Sequence, residues 1–253
     1  MFYAKLNEGI ILKKIIQSIK GLFDDLDLDI SPEGIYIQKM VKSRISVACI
    51  KLSTKGFQEF KFEKSITTGI SILILEKVFN DIGDGDHLIL KYDSPNKLII
   101  ELENPEINKI SQYEIPLKEN HLYEKFLVLD TNNTTINLPS KQFEKIINDL
   151  NATGSNIFIK CYSDGKAEFY VESENGRCIM IESNHEEELE KFIKVESDKE
   201  IKIGLNINIL KEFSKAHLIA KQVKLSFGEN YPLLAEYKIG EFGQIKFYLA
   251  PIV

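Results

Sequence analysis

One eight-residue pattern is written four times along this chain. It runs apolar, two charged, two apolar, two polar, apolar, and its first copy is Leu12-Lys13-Lys14-Ile15-Ile16-Gln17-Ser18-Ile19. Leu75-Glu76-Lys77-Val78-Phe79-Asn80-Asp81-Ile82 and Phe143-Glu144-Lys145-Ile146-Ile147-Asn148-Asp149-Leu150 follow it closely. Leu210-Lys211-Glu212-Phe213-Ser214-Lys215-Ala216-His217 is the weakest copy, with Ser214 and His217 at apolar places. Apolar residues at i, i+3, i+4 and i+7 line one side of a helix, so each copy predicts a short helix with one buried stripe. The copies begin at 12, 75, 143 and 210, separations of 63, 68 and 67 residues. After each comes an alternating run, a turn and a second run. The turns start at Ser31, Ser94, Ser163 and Gly228, which lie 19, 19, 20 and 18 residues beyond the first apolar residue of each copy. A recurring offset of this kind marks an internally repeated fold.

Between the helices the chain reads as strands. Asp25-Leu26-Asp27-Leu28-Asp29-Ile30 alternates strictly, which predicts a half-buried strand with its aspartates outward. Similar runs cover 35–40, 45–52, 57–62, 87–92, 97–102 and 109–117, then 156–162, 166–171, 177–183, 223–227, 233–239 and 244–249. Residues 67–73 read as a strand leading into the second helix, and 201–205 as one leading into the fourth. Many strands with four short helices predict an α+β protein. Residues 118–131 have no clean period and lie between the two helix pairs. They divide the chain into an N-terminal domain, 1–117, a connector, 118–131, and a C-terminal domain, 132–253.

The chain has 253 residues, enough for two ordinary domains, and its 43% hydrophobic and 28% charged content are those of a globular protein. No apolar run approaches the ~20 residues of a membrane helix, so no membrane partner is expected. Met1-Phe2-Tyr3-Ala4-Lys5 lacks the basic start and apolar core of a signal peptide. Cys49, Cys161 and Cys178 are too few and too dispersed for a disulfide framework or a zinc site. Net charge is -6, which opposes tight direct binding of nucleic acid. The charge is unevenly placed, however. The four helical stretches 11–23, 74–82, 141–152 and 209–221 together carry +4, and the remainder carries -10.

Catalytic motifs are missing: there is no Gly-rich phosphate loop, no nucleophile elbow and no His/Cys set at metal spacing. Gly83-Asp84-Gly85-Asp86 resembles part of a calcium loop but lacks the downstream acidic ligand, and a turn is the better reading. His185-Glu186-Glu187-Glu188 lacks the second histidine of a zinc-protease helix. No catalytic residue, metal or cofactor is therefore expected.

Several stretches, in order along the whole chain, resemble the eukaryotic sliding-clamp family of proliferating cell nuclear antigen. Met1-Phe2-x-Ala4-Lys5-Leu6 with Ile11-Leu12-Lys13-Lys14 is similar to the family's opening. Ser111-Gln112-Tyr113-Glu114 and Leu138-Pro139-Ser140-x-x-Phe143 resemble its internal motifs. Glu236-Tyr237-Lys238-Ile239 and Lys246-Phe247-Tyr248-Leu249-Ala250-Pro251 resemble its C-terminal end. The resemblance implies a two-domain clamp fold that closes head to tail into a homotrimeric ring, with four helices per chain facing a central hole and antiparallel sheets outside. It implies a nuclear processivity factor that encircles duplex DNA without sequence preference and has no catalysis of its own. The implied partners are replicative DNA polymerase, the clamp loader, flap endonuclease, DNA ligase and other proteins carrying a clamp-binding peptide. Two alternatives are a subunit of a heterotrimeric checkpoint clamp and, from another class, a metal-dependent phosphoester hydrolase using acidic clusters.

The resemblance also implies sites. Lys13, Lys14, Lys20, Lys77, Lys109, Lys145 and Lys215 would face DNA. Asn80, Asn148 and Asn208 stand where the family often has lysine or arginine, which implies a weaker grip. Residues 118–131 would be the interdomain connector. With it, Met40, Ile45, Val47, Phe126, Val128, Pro232, Tyr248, Leu249, Ala250 and Pro251 would line a pocket for a peptide with one aliphatic and two aromatic anchors. Lys109 and Tyr113 of one copy would meet Arg177, Ile179 and Ile181 of the next. Ser163 stands where the family's ubiquitin-accepting lysine is usual.

Overall fold

The computed structural model describes residues 1–94, 96–118, 134–174, 176–184, 191–196, 200–229 and 231–252. It separates into two compact units. The first comprises Met1–Lys42, Ala48–Phe126 and Ile239–Ile245; the second comprises Ser43–Val47, Leu127–Lys238 and Lys246–Val253. The expected connector lies outside the described residues from position 119 onward.

The first unit holds β1 (Phe2–Leu6), α1 (Ile10–Ile19), β2 (Asp25–Ser31), β3 (Gly34–Met40), most of β4 (Ser46–Ser53), β5 (Glu59–Phe62), β6 (Ile66–Ser71), α2 (Ile72–Asn80), β7 (His87–Ser94), β8 (Lys97–Asn104) and β9 (Lys109–Pro116). Its strands run in the orders β5-β1-β7-β8-β9 and β4-β3-β2-β6. The second unit holds β10 (Thr134–Pro139), α3 (Ser140–Asn151), β11 (Asn156–Cys161), β12 (Lys166–Ser173), β13 (Gly176–Ser183), β14 (Phe192–Val195), β15 (Ile201–Asn206), α4 (Ile207–Ser214), β16 (Gln222–Phe227), nearly all of β17 (Leu233–Ile239) and the latter part of β18 (Gly243–Leu249). Its orders are β14-β10-β16-β17-β18 and β13-β12-β11-β15. Strand for strand this repeats the first unit, as the fourfold pattern predicts. Together with the four helices it makes an α+β fold, as expected.

The helices form where their stripes can be buried. Leu12, Ile15, Ile16 and Ile19 of α1 are buried, as are Ile72, Leu75, Val78 and Phe79 of α2. Phe143, Ile146, Ile147 and Leu150 of α3 are also buried, each side chain contributing about 1.5–3 kcal/mol on removal from water. The weak fourth copy yields the shortest of the four helices. At Ser214, whose hydroxyl bonds back to the Lys211 carbonyl at 2.9 Å, α4 gives way to a tighter 3₁₀ turn, Lys215–Leu218. A serine that satisfies itself on the preceding turn competes with continuation of the α-helix. Its packing is completed by Phe213 stacked on Phe247, ring centroids 4.4 Å apart.

Two boundaries differ from the sequence reading. The second helix begins at Ile72, so the strand before it ends at Ser71 and not at Leu73. The run expected as a strand from Phe57 starts only at Glu59, as the four-residue β5, and a 3₁₀ turn, Thr54–Gly56, precedes it. Gly56 sits so close to Phe242 that a Cβ there would lie 2.0 Å from its ring, and this contact fixes the turn. Strand β14 was not legible, because its four residues give too little alternation to detect.

Candidate nucleic-acid interface and docking surfaces

Burying one stripe leaves the opposite face of every helix exposed, and that face carries the lysines. In the first unit Lys14, Lys20 and Lys77 are exposed, while Lys13 is half-buried. Lys13 Nζ donates to two carbonyls at the end of α2, Asn80 O at 3.0 Å and Ile82 O at 2.7 Å. Lys20 pairs with Glu76 at 2.5 Å. Lys14 and Lys77 have no hydrogen bond or ion pair among the described residues.

The second unit spends its helix charges differently. Lys145 of α3 is exposed and unpaired among the described residues, as are Lys141 and Lys211, which the sequence reading did not single out. Lys215 is tied to Glu212 at 2.6 Å. Of the three asparagines standing in place of basic residues, Asn148 donates to Glu144, and Asn208 accepts from Asn151 at 3.2 Å to join α4 to α3. Asn80 serves through its carbonyl, as the acceptor for Lys13.

Two of the aspartates in the alternating run of β2 are paired with lysines. Asp27 pairs with Lys39 at 2.9 Å and Asp25 with Lys118. Among the described residues no group of three or more His, Cys, Asp or Glu side chains could hold a metal.

Among the strands that end their sheets are β9 and β13. β9 pairs with β8 and β13 with β12, and the other edge of each is open among the described residues. Open edges offer rows of unpaired N–H and C=O groups for strand addition. Apolar side chains are exposed beside them: Ile110 at 69% on β9, Ile179 at 41% and Ile181 at 57% on β13. Lys109 is exposed at the start of β9. Tyr113 donates its hydroxyl to Asp81 Oδ2 at 2.8 Å, and this bond holds the phenol above its ordinary pKa. Arg177 lies 4.0 Å over the Tyr170 ring. Beside β13 a cleft of about 400 Å³ is lined by Gln142, Lys145, Ile146, Asp149, Met180, Ile181 and Glu182. Its far end is fixed by Glu182, which pairs with the nearly buried Lys191 at 2.7 Å and accepts from Gln142 at 2.7 Å.

In the second unit the end of β18 meets the segment Ser43–Val47. Ala250 donates its N–H to the Ile45 carbonyl at 2.9 Å, leaving the Ile45 side chain 44% exposed. Val47, Tyr248, Ala250 and Pro251 are half-buried and Pro232 is exposed. Leu249 is fully buried and supports this surface from beneath. In the first unit Met40 ends β3 with 38% exposure. Phe126 and Val128 lie outside the described residues. Sequence reasoning passed over Tyr231, an aromatic 44% exposed immediately before Pro232. Its signal was its place in a turn, where a solvent-facing aromatic has no core to fill.

Residues 1–125 match the family described as proliferating cell nuclear antigen, N-terminal domain, and residues 130–252 match its C-terminal domain. A protein of Chaetomium thermophilum named proliferating cell nuclear antigen is 29% identical over 254 residues. That alignment covers 99% of this chain and 98% of the relative.

Proposed function

Because this chain belongs to the proliferating cell nuclear antigen family, we propose that it works as a ring of three copies closed head to tail around duplex DNA. The chain is a DNA sliding clamp, a processivity factor for replication and repair. Its ring, its contacts and its particular partners are the further reading. The observation that carries it is the split character of the helices: each buries one stripe, and the exposed sides and ends carry Lys14 and Lys77, with Lys20 just past α1, Lys145 on α3 and Lys215 in the 3₁₀ turn after α4. With Lys109 of β9, such faces would screen phosphates without reading bases, which permits sliding.

Ring closure would join the open edge of β9 on one copy to that of β13 on the next. A heterologous contact of fixed rotation closes a ring. Tyr113 would enter the cleft lined by Gln142, Lys145 and Met180, with Lys109, Arg177, Ile179 and Ile181 around it. Residues 118–131 would form the connector between domains 1–117 and 132–253. The surface of Ile45, Val47, Pro232, Tyr248, Ala250 and Pro251 in the second unit would take a partner peptide, a role that the resemblance also assigns to Met40, Phe126 and Val128. Polymerase, clamp loader, flap endonuclease and ligase would dock by such peptides, in the nucleus, and the clamp itself would catalyse nothing.

The test is topological. Labelled clamp is loaded onto a nicked circle by a clamp loader, half the sample is linearised, and both are filtered in salt that suppresses phosphate contacts. Retention on the circle and loss from the line is expected. Equal loss from both would leave only ordinary electrostatic binding.

A further inference from the structure

Lys13 and Lys14 are neighbours on α1 with the same charge, yet the fold gives them different surroundings. Successive helix residues point about 100° apart. Lys14 faces solvent, whereas Lys13 reaches across to the end of α2. The last carbonyls of a helix lack intrahelical partners and carry the negative end of its dipole. An ammonium placed on the last of them, Asn80 O, and on the Ile82 carbonyl just past the helix is bound by charge-assisted hydrogen bonds.

The two carbonyls belong to Asn80 and Ile82, so Lys13 grips the backbone on both sides of Asp81. The same turn is closed by the N–H groups of Asp81 and Ile82, bonded to Val78 O and Phe79 O at 3.2 Å each. Ile82 is 2% exposed and anchors the turn in the core. The Asp81 carboxylate is left outside, where it accepts from Tyr113 of β9 at 2.8 Å. One chain of polar contacts therefore runs from α1, through residues 80–82, to the open edge strand.

We propose that Lys13 is a positioning residue for ring closure: it fixes the turn through which Asp81 holds Tyr113 for the next copy, and it leaves DNA contact from this part of α1 to Lys14. This role rests on the ring reading above. A side chain on an edge strand loses rotamer freedom when it docks, and holding it beforehand lowers that cost.

The experiment compares Lys13→Met, Lys14→Met, Tyr113→Phe and the double variant Lys13→Met/Tyr113→Phe, alongside Lys13→Arg and Asp81→Ala. Ring dissociation is followed by sedimentation over a dilution series, and duplex affinity is followed against salt. Lys13→Met should raise the concentration of half-dissociation roughly tenfold, within the range of coupled neighbours. It should leave the salt slope unchanged. Lys13→Arg, which can still donate to two carbonyls, should restore the ring. In the Tyr113→Phe background, which lacks the hydroxyl, Lys13→Met should add little. Lys14→Met should lower the salt slope and leave dissociation alone. Asp81→Ala, at an exposed position, should weaken the ring as Lys13→Met does, and it reads the same link if Lys13→Met unfolds. A trimeric wild type whose Lys13→Met variant loses salt slope but not ring stability overturns the proposal. So does equal weakening with and without the Tyr113 hydroxyl. A wild type that never exceeds 29.0 kDa overturns the ring reading and this role with it.

Discussion

Ile252 donates its backbone N–H to the carbonyl of Gly204 at 2.9 Å and lays its side chain where Gly204 has none. A Cβ at Gly204 would sit 2.8 Å from Ile252 Cγ1 and 2.9 Å from Phe158 Cε1. With the Ala250–Ile45 bond, this pins the segment after β18 at two points on the second unit. Gly204→Ala should therefore displace Ile252 and cost about 1–3 kcal/mol, the usual penalty of overpacking. Ile252→Ala in the same background should recover only part of the loss in urea unfolding, because the contact with Phe158 remains. A single variant with unchanged midpoint would show that the notch is not needed.

Tyr248 stands half-buried one residue before the fully buried Leu249. If the surface takes a partner peptide, Tyr248→Ala should weaken a peptide with paired aromatic anchors by about 1–3 kcal/mol. Tyr231→Ala should weaken it less, as expected of a rim contact. Titration calorimetry giving full affinity for Tyr248→Ala would move the site elsewhere.

Tyr113→Ala removes a large side chain from the open edge of β9, where its neighbours Ile110 and Lys109 are exposed. Loss of an aromatic anchor should convert the ring to monomers at micromolar concentration. Sedimentation that still returns three times 29.0 kDa would exclude this strand as the closing edge.

Lys77→Ala and Lys145→Ala should each flatten the dependence of duplex affinity on salt, by roughly 0.9 for every phosphate no longer neutralised. Lys20→Ala should do less, because Lys20 is already paired with Glu76 at 2.5 Å. Neither Lys77→Ala nor Lys20→Ala should change the mass of the ring. Equal slopes for all three variants and wild type would remove these helix faces from the DNA path.

Cys161 is fully buried on β11, and that burial pushes its thiol up to about 12. At pH 8 only about one part in ten thousand would be thiolate, the reactive form. Iodoacetamide should therefore spare Cys161 in the native protein while reaching the half-buried Cys178, and should modify both after unfolding. Mass mapping of early labelling at Cys161 would contradict the packing of this strand.

Periodicity is a local property, and it is what made the architecture legible. A stripe such as Leu12, Ile15, Ile16 and Ile19 can only be a helix with one buried side, and its fourfold recurrence implied a repeated fold before any contact was known. The alternation of 25–30 likewise became β2, although Leu28 is only half-buried there. Where the local signal was short or mixed, as in β14 or at the start of α2, the boundaries moved.

The lysines mark the limit. By sequence Lys13, Lys14, Lys20 and Lys215 are equivalent cations on exposed faces. Tertiary structure alone decides that Lys13 is committed to Asn80 and Ile82, Lys20 to Glu76 and Lys215 to Glu212, while Lys14 remains available. The partners of Lys13 lie 67 and 69 residues away, and Asp81 lies 32 residues from Tyr113. Such pairings depend on where distant elements come to rest, and no periodicity encodes that. The chain's own order of residues determined the repeated helices, the strands between them and the family. Packing of those elements against one another determined which charges are left to meet a partner.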